Sequence, residues 1–311
     1  MGTILLYYKY VTLDNPVRVQ RWQTKLCNDL GLKGRIIIAH EGINGTVGGL
    51  ADNIEHYKQA MRKNPLFNDV DFKESAGAVD HFPRLRIVVR NEIVSIGLSQ
   101  DKARPENTGI HLTPEQTHNF IAQQSPDVLI FDARNQCESA IGTFTNAVTP
   151  AIDHFRDLPA YIDNNLAQFK NKDVLMFCTG GIRCERATAY LKEKGVAKQV
   201  YQVEGGIHRY VEQYPDGYFR GKNYVFDGRV AVRVNNDILG SCALCATPYD
   251  DYTNCLNARC NNHFICCPAC IEQLGNTCST ACQQAIAHGT TAARPPLKKS
   301  PHTTPSSPST L

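Results

Sequence analysis

The sequence predicts an α/β protein built from three consecutive parts, and three observations lead to this interpretation. The first hundred residues follow the order β-α-β-β-α-β, and the middle of the chain alternates short apolar strands with helices. Nine of the 13 cysteines lie between Cys242 and Cys282. With 311 residues, the chain is long enough for about two or three domains.

Residues 1–98 are predicted to form a ferredoxin-like α+β domain, because their elements follow the split β-α-β order. Asn15 is placed to cap the first helix, with Pro16 at its first position and Gly31 at its end. The second helix is predicted over residues 52–63. The predicted strands cover residues 3–10, 34–39, 42–48, 70–73, 85–89 and 92–96.

Residues 113–215 are predicted to form a parallel, doubly wound α/β domain, which a polar linker at 97–112 joins to the first domain. Thr113 and Gln116 form a capping box around Pro114, so a helix is expected to begin here. Short apolar strands then alternate with helices, as in sheets that are covered on both faces. The strands are predicted at 128–132, 147–148, 173–177 and 199–203, and the helices at 114–124, 157–169 and 185–194.

Cys178 follows the apolar strand at 173–177 and begins a glycine-bearing loop that leads into a helix. Open α/β sheets bind ligands at this end of their strands. Gly180 and Gly181 allow backbone N–H groups to turn inward, while the helix N-terminus and Arg183 add positive charge. These features favour a thiolate at Cys178, and the same loop suits a persulfide or a small anion.

The isolated cysteines also have structural interpretations. A free cysteine often behaves as a small buried hydrophobic residue, and this alternative remains open for Cys178. Cys27 lies on the apolar face of a predicted helix and is expected in the core. Cys184 falls inside the helix start, where it is either a core residue or a thiol that resolves an oxidised Cys178. Cys137 has no convincing partner in the sequence pattern.

The loop resembles the six-residue active loop of the rhodanese sulfurtransferases. It consists of Cys178, Thr179, Gly180, Gly181, Ile182 and Arg183, and the resemblance makes the last five residues the anion-binding part of the site. The related phosphatases have a loop one residue longer that ends in Arg. Cys184 stands at that position here, which disfavours a phosphatase.

Two other stretches are similar to rhodanese motifs. Gly205-Gly206 resembles the closing motif of the family. The first conserved block is matched with two departures, since Thr143 replaces the usual His and Asn146 the usual Gly. The matching positions are 131–134, Glu138, Gly142, Ala147 and Pro150.

A longer resemblance covers about residues 3–283. The block at 41–46 (Glu-Gly-Ile-Asn-Gly-Thr), the rhodanese centre, the connector at 224–229 (Tyr-Val-Phe-Asp-Gly-Arg) and the cysteine-rich segment occur in the order of the bacterial oxygen-dependent tRNA uridine hydroxylases. The resemblance implies an oxidoreductase that converts the wobble uridine of certain tRNAs, at position 34, to 5-hydroxyuridine. It further implies Cys178 as the catalytic residue, tRNA as the partner and molecular oxygen as the co-substrate.

Two other functions are consistent with parts of the sequence. The rhodanese centre by itself favours a sulfurtransferase that carries sulfur as a Cys178 persulfide. A non-enzymatic adaptor that binds zinc and RNA is disfavoured by the intact Cys178 loop. The sequence contains no glycine fingerprint for a flavin or nicotinamide cofactor and no evident two-His, one-carboxylate set for iron.

Residues 216–283 are predicted to form a basic and aromatic connector followed by a cysteine-rich module that binds structural zinc. Eight cysteines form four closely spaced pairs, which would suit two tetrahedral zinc ions. Cys266 and His263 are spare or substitute ligands, while disulfides, metal-free packing or an iron–sulfur cluster are the alternatives. The pairs are Cys242 and Cys245, Cys255 and Cys260, Cys267 and Cys270, and Cys278 and Cys282.

Basic residues near aromatic ones are candidates for RNA contacts, because they can grip phosphates and stack on an unpaired base. The net charge of +3 is too small to predict nucleic-acid binding by itself. The four candidates nearest the loop and connector are Arg186, Arg209, Arg220 and Lys222. A further basic group on the predicted strands of the first domain comprises Lys33, Arg35, Arg84, Arg86 and Arg90.

The hydropathy pattern predicts a cytoplasmic protein. The apolar start lacks a basic n-region, so no signal peptide is expected, and no apolar run reaches the ~18 residues of a membrane helix. Residues 284–311, which become rich in Pro, Ser and Thr, are predicted to form a disordered tail.

Overall fold

The first part of the chain folds as a five-stranded sheet with two helices in the computed structural model, which describes residues 2–99 and 101–296. The strand order is β4-β1-β3-β2-β5, in which β5 runs parallel to β2 and the other neighbours are antiparallel. The predicted ferredoxin-like fold is confirmed. The elements are β1 (Gly2–Tyr10), α1 (Pro16–Asp29), β2 (Lys33–Ala39), β3 (Gly42–Leu50), α2 (Ala51–Arg62), β4 (Lys73–Gly77) and β5 (Leu85–Val89).

Alternation along β2 gives the two faces of this sheet different roles. Ile36 and Ile38 are fully buried in a cluster with residues of both helices, including Cys27, which lies in the core as predicted. Arg35 and Ile37 point to the opposite face, because successive side chains of a strand alternate. That second face lines the cavity described below.

Two strand predictions in this domain are wrong. The strand expected at 70–73 is displaced to Lys73–Gly77, and residues 92–96 form no strand. The backbone of Ile93 forms hydrogen bonds with two side chains and not with a neighbouring strand. Its N–H donates to Glu41 Oε1 at 2.7 Å, and its carbonyl accepts from Asn44 Nδ2 at 2.9 Å.

The central part is a parallel α/β domain, as predicted, and its four-stranded sheet has the order β6-β10-β9-β7. Thr113 caps its first helix, and the predicted capping box with Gln116 is present. The elements are β6 (Ile110–Leu112), α3 (Pro114–Ala122), β7 (Val128–Asp132), α4 (Gln136–Ser139), β8 (Gly142–Phe144), α5 (Leu158–Asn164), α6 (Leu166–Phe169), β9 (Asp173–Phe177), α7 (Ile182–Lys194), β10 (Gln199–Val203) and α8 (Gly206–Gln213).

The edges of this domain differ from the prediction. The segment interpreted as a linker contributes β6, which pairs with β10, so the sheet begins before residue 113. The strand expected at 147–148 is reduced to a single bridge between Phe131 and Val148. Helix α7 begins at Ile182, three residues before the predicted start at Glu185, so it brings its N-terminus directly to the loop.

The C-terminal part is joined to the central domain by strand pairing. The connector forms β11 (Phe219–Tyr224), which pairs with β8 of the central domain and with β12 (Ala231–Arg233). The tail was predicted to begin at residue 284, but helix α10 continues to Ala287. Residues 297–311 of that tail lie outside the described residues. The remaining elements are β13 (Tyr252–Asn254), β14 (His263–Ile265), α9 (Pro268–Leu274) and α10 (Thr280–Ala287). Within 2–99 and 101–296, no helix combines the length and apolar character needed to cross a bilayer.

Arg186 ties the first two domains together. Its side chain is only 2% exposed, and its guanidinium lies 2.7 Å from Glu41 Oε2 and 3.6 Å from Glu92 Oε1, both of the first domain. A buried cation between two carboxylates compensates charges that burial would otherwise penalise. Arg186 was a candidate for RNA contact, but its burial and its partners give it a structural role.

Replacing Arg186 with Met should therefore destabilise the protein. The change leaves Glu41 and Glu92 without their cation, and breaking a buried pair typically costs about 3–5 kcal/mol. Urea unfolding at pH 7 measures the loss, with Arg21→Met as a control, because Arg21 is exposed on α1. A loss below about 1 kcal/mol, in the range of a surface pair, would contradict this role.

Candidate active site

Cys178 lies directly after β9 and lines a cavity of about 550 Å³. The residue is fully buried, so a reactant must enter the protein surface to meet its sulfur. The volume falls within the ~300–1,000 Å³ of small-molecule sites. The walls include the open face of the first sheet, the loop after β9, the connector after β11 and a central-domain segment that contains Arg156.

The loop stabilises a thiolate at Cys178. Burial by itself would raise the pKa of this thiol, but the hydrogen bond from the Cys184 thiol, the charge of Arg183 and the backbone N–H groups of Arg183 and Cys184 lower it to about 5. The N–H of Gly181 also points at the sulfur, with N to Sγ 3.2 Å. Gly181 has φ +102°, a conformation that side chains rarely adopt. Cys178 is therefore ionised at neutral pH.

Cys184 is buried beside Cys178. It therefore occupies the core position that is one of the two interpretations of this residue. Burial and its hydrogen bond to Cys178 raise the pKa of Cys184 well above that of a free thiol. The pair therefore shares one proton, which Cys184 keeps and donates. A resolving cysteine attacks as a thiolate, so the raised pKa of Cys184 favours the core interpretation over the resolving one.

The guanidinium of Arg183 is bound by Glu138. Its Nη1 and Nη2 lie 2.5 and 2.7 Å from the two carboxylate oxygens of Glu138, and both side chains are buried. Nη2 also donates to Thr179 Oγ1 at 3.2 Å. The guanidinium therefore fixes the loop to α4. Its charge lowers the pKa of Cys178, which is the effect expected of Arg183 from the sequence.

A second buried ion pair supports the same region. The guanidinium of Arg134 binds both carboxylate oxygens of Asp132, at 2.8 and 2.6 Å, and also donates to the carbonyl of Gly142. Thr143, at the position of the usual His, donates to Asp132 at 3.0 Å. Asn146, in place of the usual Gly, has φ +61°, where Asn is among the best tolerated side chains.

The Gly205-Gly206 motif closes the loop from the other side. The N–H groups of Ile207 and His208, at the start of α8, donate to the carbonyls of Cys178 and Thr179 at 2.9 and 3.1 Å. A Cβ on Gly206 would lie 2.5 Å from the Cys178 carbonyl oxygen, so only glycine allows this approach. The loop is thus fixed between two helix N-termini.

Strand β1 of the first domain covers the loop, a contact that no sequence pattern indicated. A Cβ on Gly180 would lie 3.1 Å from Leu6, and one on Gly181 would lie 2.8 Å from the Tyr8 hydroxyl. That hydroxyl donates to Glu185 Oε1 of α7 at 2.9 Å. The two glycines therefore serve the domain interface as well as the conformation of the loop.

Phe226 of the connector provides an exposed aromatic surface at the cavity. It is 63% exposed, unusual for a phenylalanine, and its ring lies 5.6 Å from the guanidinium carbon of Arg183. Nearby, Arg229 is fixed by Asp227 and by the carbonyl of Ala76. The mouth of the cavity thus combines a flat ring with a fixed cation.

The other three candidates for RNA contact differ in how far their side chains are exposed to solvent. Lys222 is buried with Asp250 and Asp251, so its charge is compensated internally. Arg209 is partly exposed and binds Asp71 at 2.5 Å, which also links the two domains. Arg220 is more exposed and lies 3.6 Å from Asp237. Arg209 and Arg220 are thus the two of the four that solvent reaches.

The eight cysteines predicted as ligands come together in two sets of four. One set combines the first and third of the predicted pairs, and the other set combines the second and fourth. The two sets therefore interleave along the chain. Within each set the sulfur atoms lie within 4.8 Å of one another, so each set can bind a metal ion. Cys266 and His263 belong to neither set. The sets are Cys242, Cys245, Cys267 and Cys270, and Cys255, Cys260, Cys278 and Cys282.

Three protein families match consecutive parts of the chain. The family described as a UPF0176 acylphosphatase-like domain matches residues 2–93. The rhodanese-like domain matches residues 113–213, and the family described as rhodanase C-terminal matches residues 220–283. These matches fall on the first sheet, the central parallel domain and the connector with its cysteine sets.

Curated relatives resemble the chain over most of its length. A tRNA uridine(34) hydroxylase of Corynebacterium jeikeium is 41% identical over 275 residues, which cover 86% of this chain and 89% of the relative. A tRNA uridine(34) hydroxylase of Bacillus licheniformis is 40% identical over 268 residues, covering 85% of this chain and 82% of that protein. The similarity therefore includes all three parts.

Alkylation of Cys178 should follow a pKa of about 5. Iodoacetamide rates between pH 4 and 9, read by mass spectrometry of tryptic peptides, measure it, because Lys172 and Arg183 separate Cys178 from the other cysteines. In Cys184→Ala the midpoint should rise, since the thiolate loses a donor. Cys137 serves as an internal control, because burial raises its pKa to about 11. A midpoint near the ~8.5 of a free thiol would contradict the assignment.

Proposed function

The chain belongs to the tRNA uridine(34) hydroxylase family, and we propose that it hydroxylates carbon 5 of the wobble uridine of tRNA to give 5-hydroxyuridine, with Cys178 as the catalytic residue. The observation that carries this proposal is a thiolate that lines a cavity of about 550 Å³ between two domains. A cavity of this volume has room for a single unstacked base, as in other enzymes that modify a base. The proposed substrate is found in the cytoplasm, where we place the protein.

The thiolate can activate the uracil ring by addition. Sulfur forms a bond to carbon 6, and the electron pair of the C5–C6 double bond moves to carbon 5 and is delocalised onto the carbonyl at carbon 4. Uracil carbon 5 becomes electron-rich at the position where oxygen is added. A thiolate that is ionised at neutral pH needs no separate base for this step.

Molecular oxygen is the proposed co-substrate. Carbon 5 of the adduct forms a bond to one oxygen atom of O₂, and the other oxygen atom takes up a proton, which gives a hydroperoxide. Two thiols then reduce the hydroperoxide to the alcohol, releasing water and forming one disulfide. Loss of the carbon 5 proton and expulsion of the Cys178 thiolate restore the double bond. Uridine, O₂ and two thiols thus give 5-hydroxyuridine, water and a disulfide, so a dithiol is the proposed reductant.

The mouth of the cavity suits a base and its phosphates. Phe226 offers a face on which an unpaired base can stack, and base–aromatic stacking contributes about 1–3 kcal/mol. Arg209 and Arg220 remain proposed phosphate contacts, since both reach solvent. Arg186 and Lys222 are buried and are left out of this proposal.

Zinc is the ion proposed for the two cysteine sets. A tetrahedral ion with metal–sulfur bonds of about 2.3 Å separates its sulfur ligands by about 3.8 Å. The Sγ atoms of Cys245 and Cys267 lie 3.7 Å apart, and Cys278 lies 3.6 Å from Cys260 and 3.9 Å from Cys282. Sites with four thiolates are closed, so the role proposed for zinc is structural.

Cys178→Ala should abolish 5-hydroxyuridine formation, because the adduct at carbon 6 cannot form. Mass spectrometry of tRNA nucleosides from a deletion strain without any redundant pathway, complemented with each variant, measures the product. Cys137→Ala is the matched control, since Cys137 is a free cysteine outside the cavity lining. Unchanged 5-hydroxyuridine in the Cys178→Ala strain would refute the proposed role.

The sulfurtransferase alternative predicts different results for the same proteins. It predicts turnover of thiosulfate with a Cys178 persulfide that mass spectrometry can trap. It also predicts that the Cys178→Ala strain keeps its hydroxylated uridine. Persulfide turnover together with retained 5-hydroxyuridine would replace the hydroxylase proposal.

Protein purified without chelator should contain about two zinc ions per chain. Cys245→Ser should reduce the content to about one, because Cys245 belongs to one set only. Cys266→Ser is the matched control and should keep both ions, as Cys266 is in neither set. Elemental analysis decides this, and iron in place of zinc, or disulfides among the eight cysteines, would contradict the zinc assignment.

A further inference from the structure

We propose that Arg35, Arg86 and Arg90, on the open face of the first sheet, form a binding track for RNA backbone phosphates that leads to the Cys178 cavity. This inference rests on the proposed function, because it supplies the surface on which the tRNA would lie. The three arginines belong to the further basic group of the first domain, and none of them is among the four candidates for RNA contact near the loop and connector.

Strand register places the track beside the cavity. Arg35 is paired with Arg86 across the parallel strands β2 and β5, so both side chains are on the same face about 4.8 Å apart at the backbone. The same face carries Thr46, which pairs with Arg35 on β3, and Leu6, which pairs with Thr46 on β1. Arg35, Thr46 and Leu6 all line the cavity. Arg86 lies one strand further out, on the edge strand.

The charges of the track are not compensated by acidic groups. Within the described residues, none of the three arginines forms an ion pair with a carboxylate, in contrast to Arg134, which is paired. Arg86 and Arg90 act on Arg35 as repelling charges, and together with burial they lower the pKa of Arg35. Such a group of exposed like charges destabilises the folded protein unless an anion binds there.

The geometry favours a polyanion over a single small anion. The side chains are exposed and lie on β2, on β5 and directly after β5, so the positive charge extends across the sheet edge. Arg156 lines the cavity from the central domain and is likewise exposed without a carboxylate partner in the described part of the chain. An RNA strand that places one base in the cavity would have phosphates on both sides of it, which matches positive charge on both walls.

The test is the salt dependence of tRNA binding to the full chain. Fluorescence anisotropy with an unmodified tRNA that carries uridine at position 34 gives the dissociation constant at a series of KCl concentrations. In Arg35→Gln/Arg86→Gln we expect binding at least about tenfold weaker at 0.1 M KCl and a salt slope smaller by about two. Arg35→Lys/Arg86→Lys should keep most of the affinity, because a point charge still binds phosphate.

Arg18→Gln/Arg21→Gln is the matched control. Both residues are exposed arginines of the same domain, on α1, which packs against the opposite face of the sheet. Their replacement should change neither the affinity nor the slope. An equal loss in this control would overturn the track, because it would show that any lost charge has the same effect.

A separate readout distinguishes this inference from the proposed function. If the wild-type protein forms 5-hydroxyuridine but Arg35→Gln/Arg86→Gln binds tRNA with unchanged affinity and slope, the track is wrong and the hydroxylase proposal stands. If the wild-type protein neither binds the tRNA nor forms the product, both are overturned. Weaker binding in the Gln variant with product still formed at saturating tRNA supports both.

Discussion

The site depends on the buried ion pair between Arg183 and Glu138. A loop that buries a thiolate must keep its positive groups close without exposing them to solvent, because unpaired buried charges cost several kcal/mol. Glu138 holds the guanidinium at 2.5 and 2.7 Å, which fixes the loop to α4 and leaves one net negative charge on Cys178. The backbone N–H groups at the start of α7 and the Cys184 thiol then stabilise that charge.

The central domain supplies the reactive group, but the first domain completes the cavity. Leu6 and Tyr8 pack on the two loop glycines, and Arg186 binds Glu41 and Glu92 across the same interface. Because β1 lies directly on the loop, a change in the domain interface alters the surroundings of Cys178. The same sheet face that lines the cavity also carries the uncompensated arginines, so the proposed base pocket and the proposed phosphate contacts share one surface.

The C-terminal part has a different basis of stability. Its apolar cluster contains Phe264 together with cysteines that belong to the two metal-binding sets. Such a small apolar cluster contributes little folding free energy, and metal binding can supply the rest. A metal ion bound in each set would cross-link segments of the module that are distant in sequence.

The sequence by itself determined the features that depend on local pattern. Apolar periodicity and caps such as Thr113 located most helices and strands, and the loop placed Cys178 at a strand end beside a helix N-terminus. Only the tertiary structure decided that Glu138 binds Arg183, that Arg186 is buried and that the cysteine pairs interleave. These contacts join residues far apart in the chain, and the charge or spacing of a residue does not specify its partner. The fold brings each partner into place. As a result, the arginine at position 186 is buried in an ion pair, whereas the arginine at position 35 is an exposed charge.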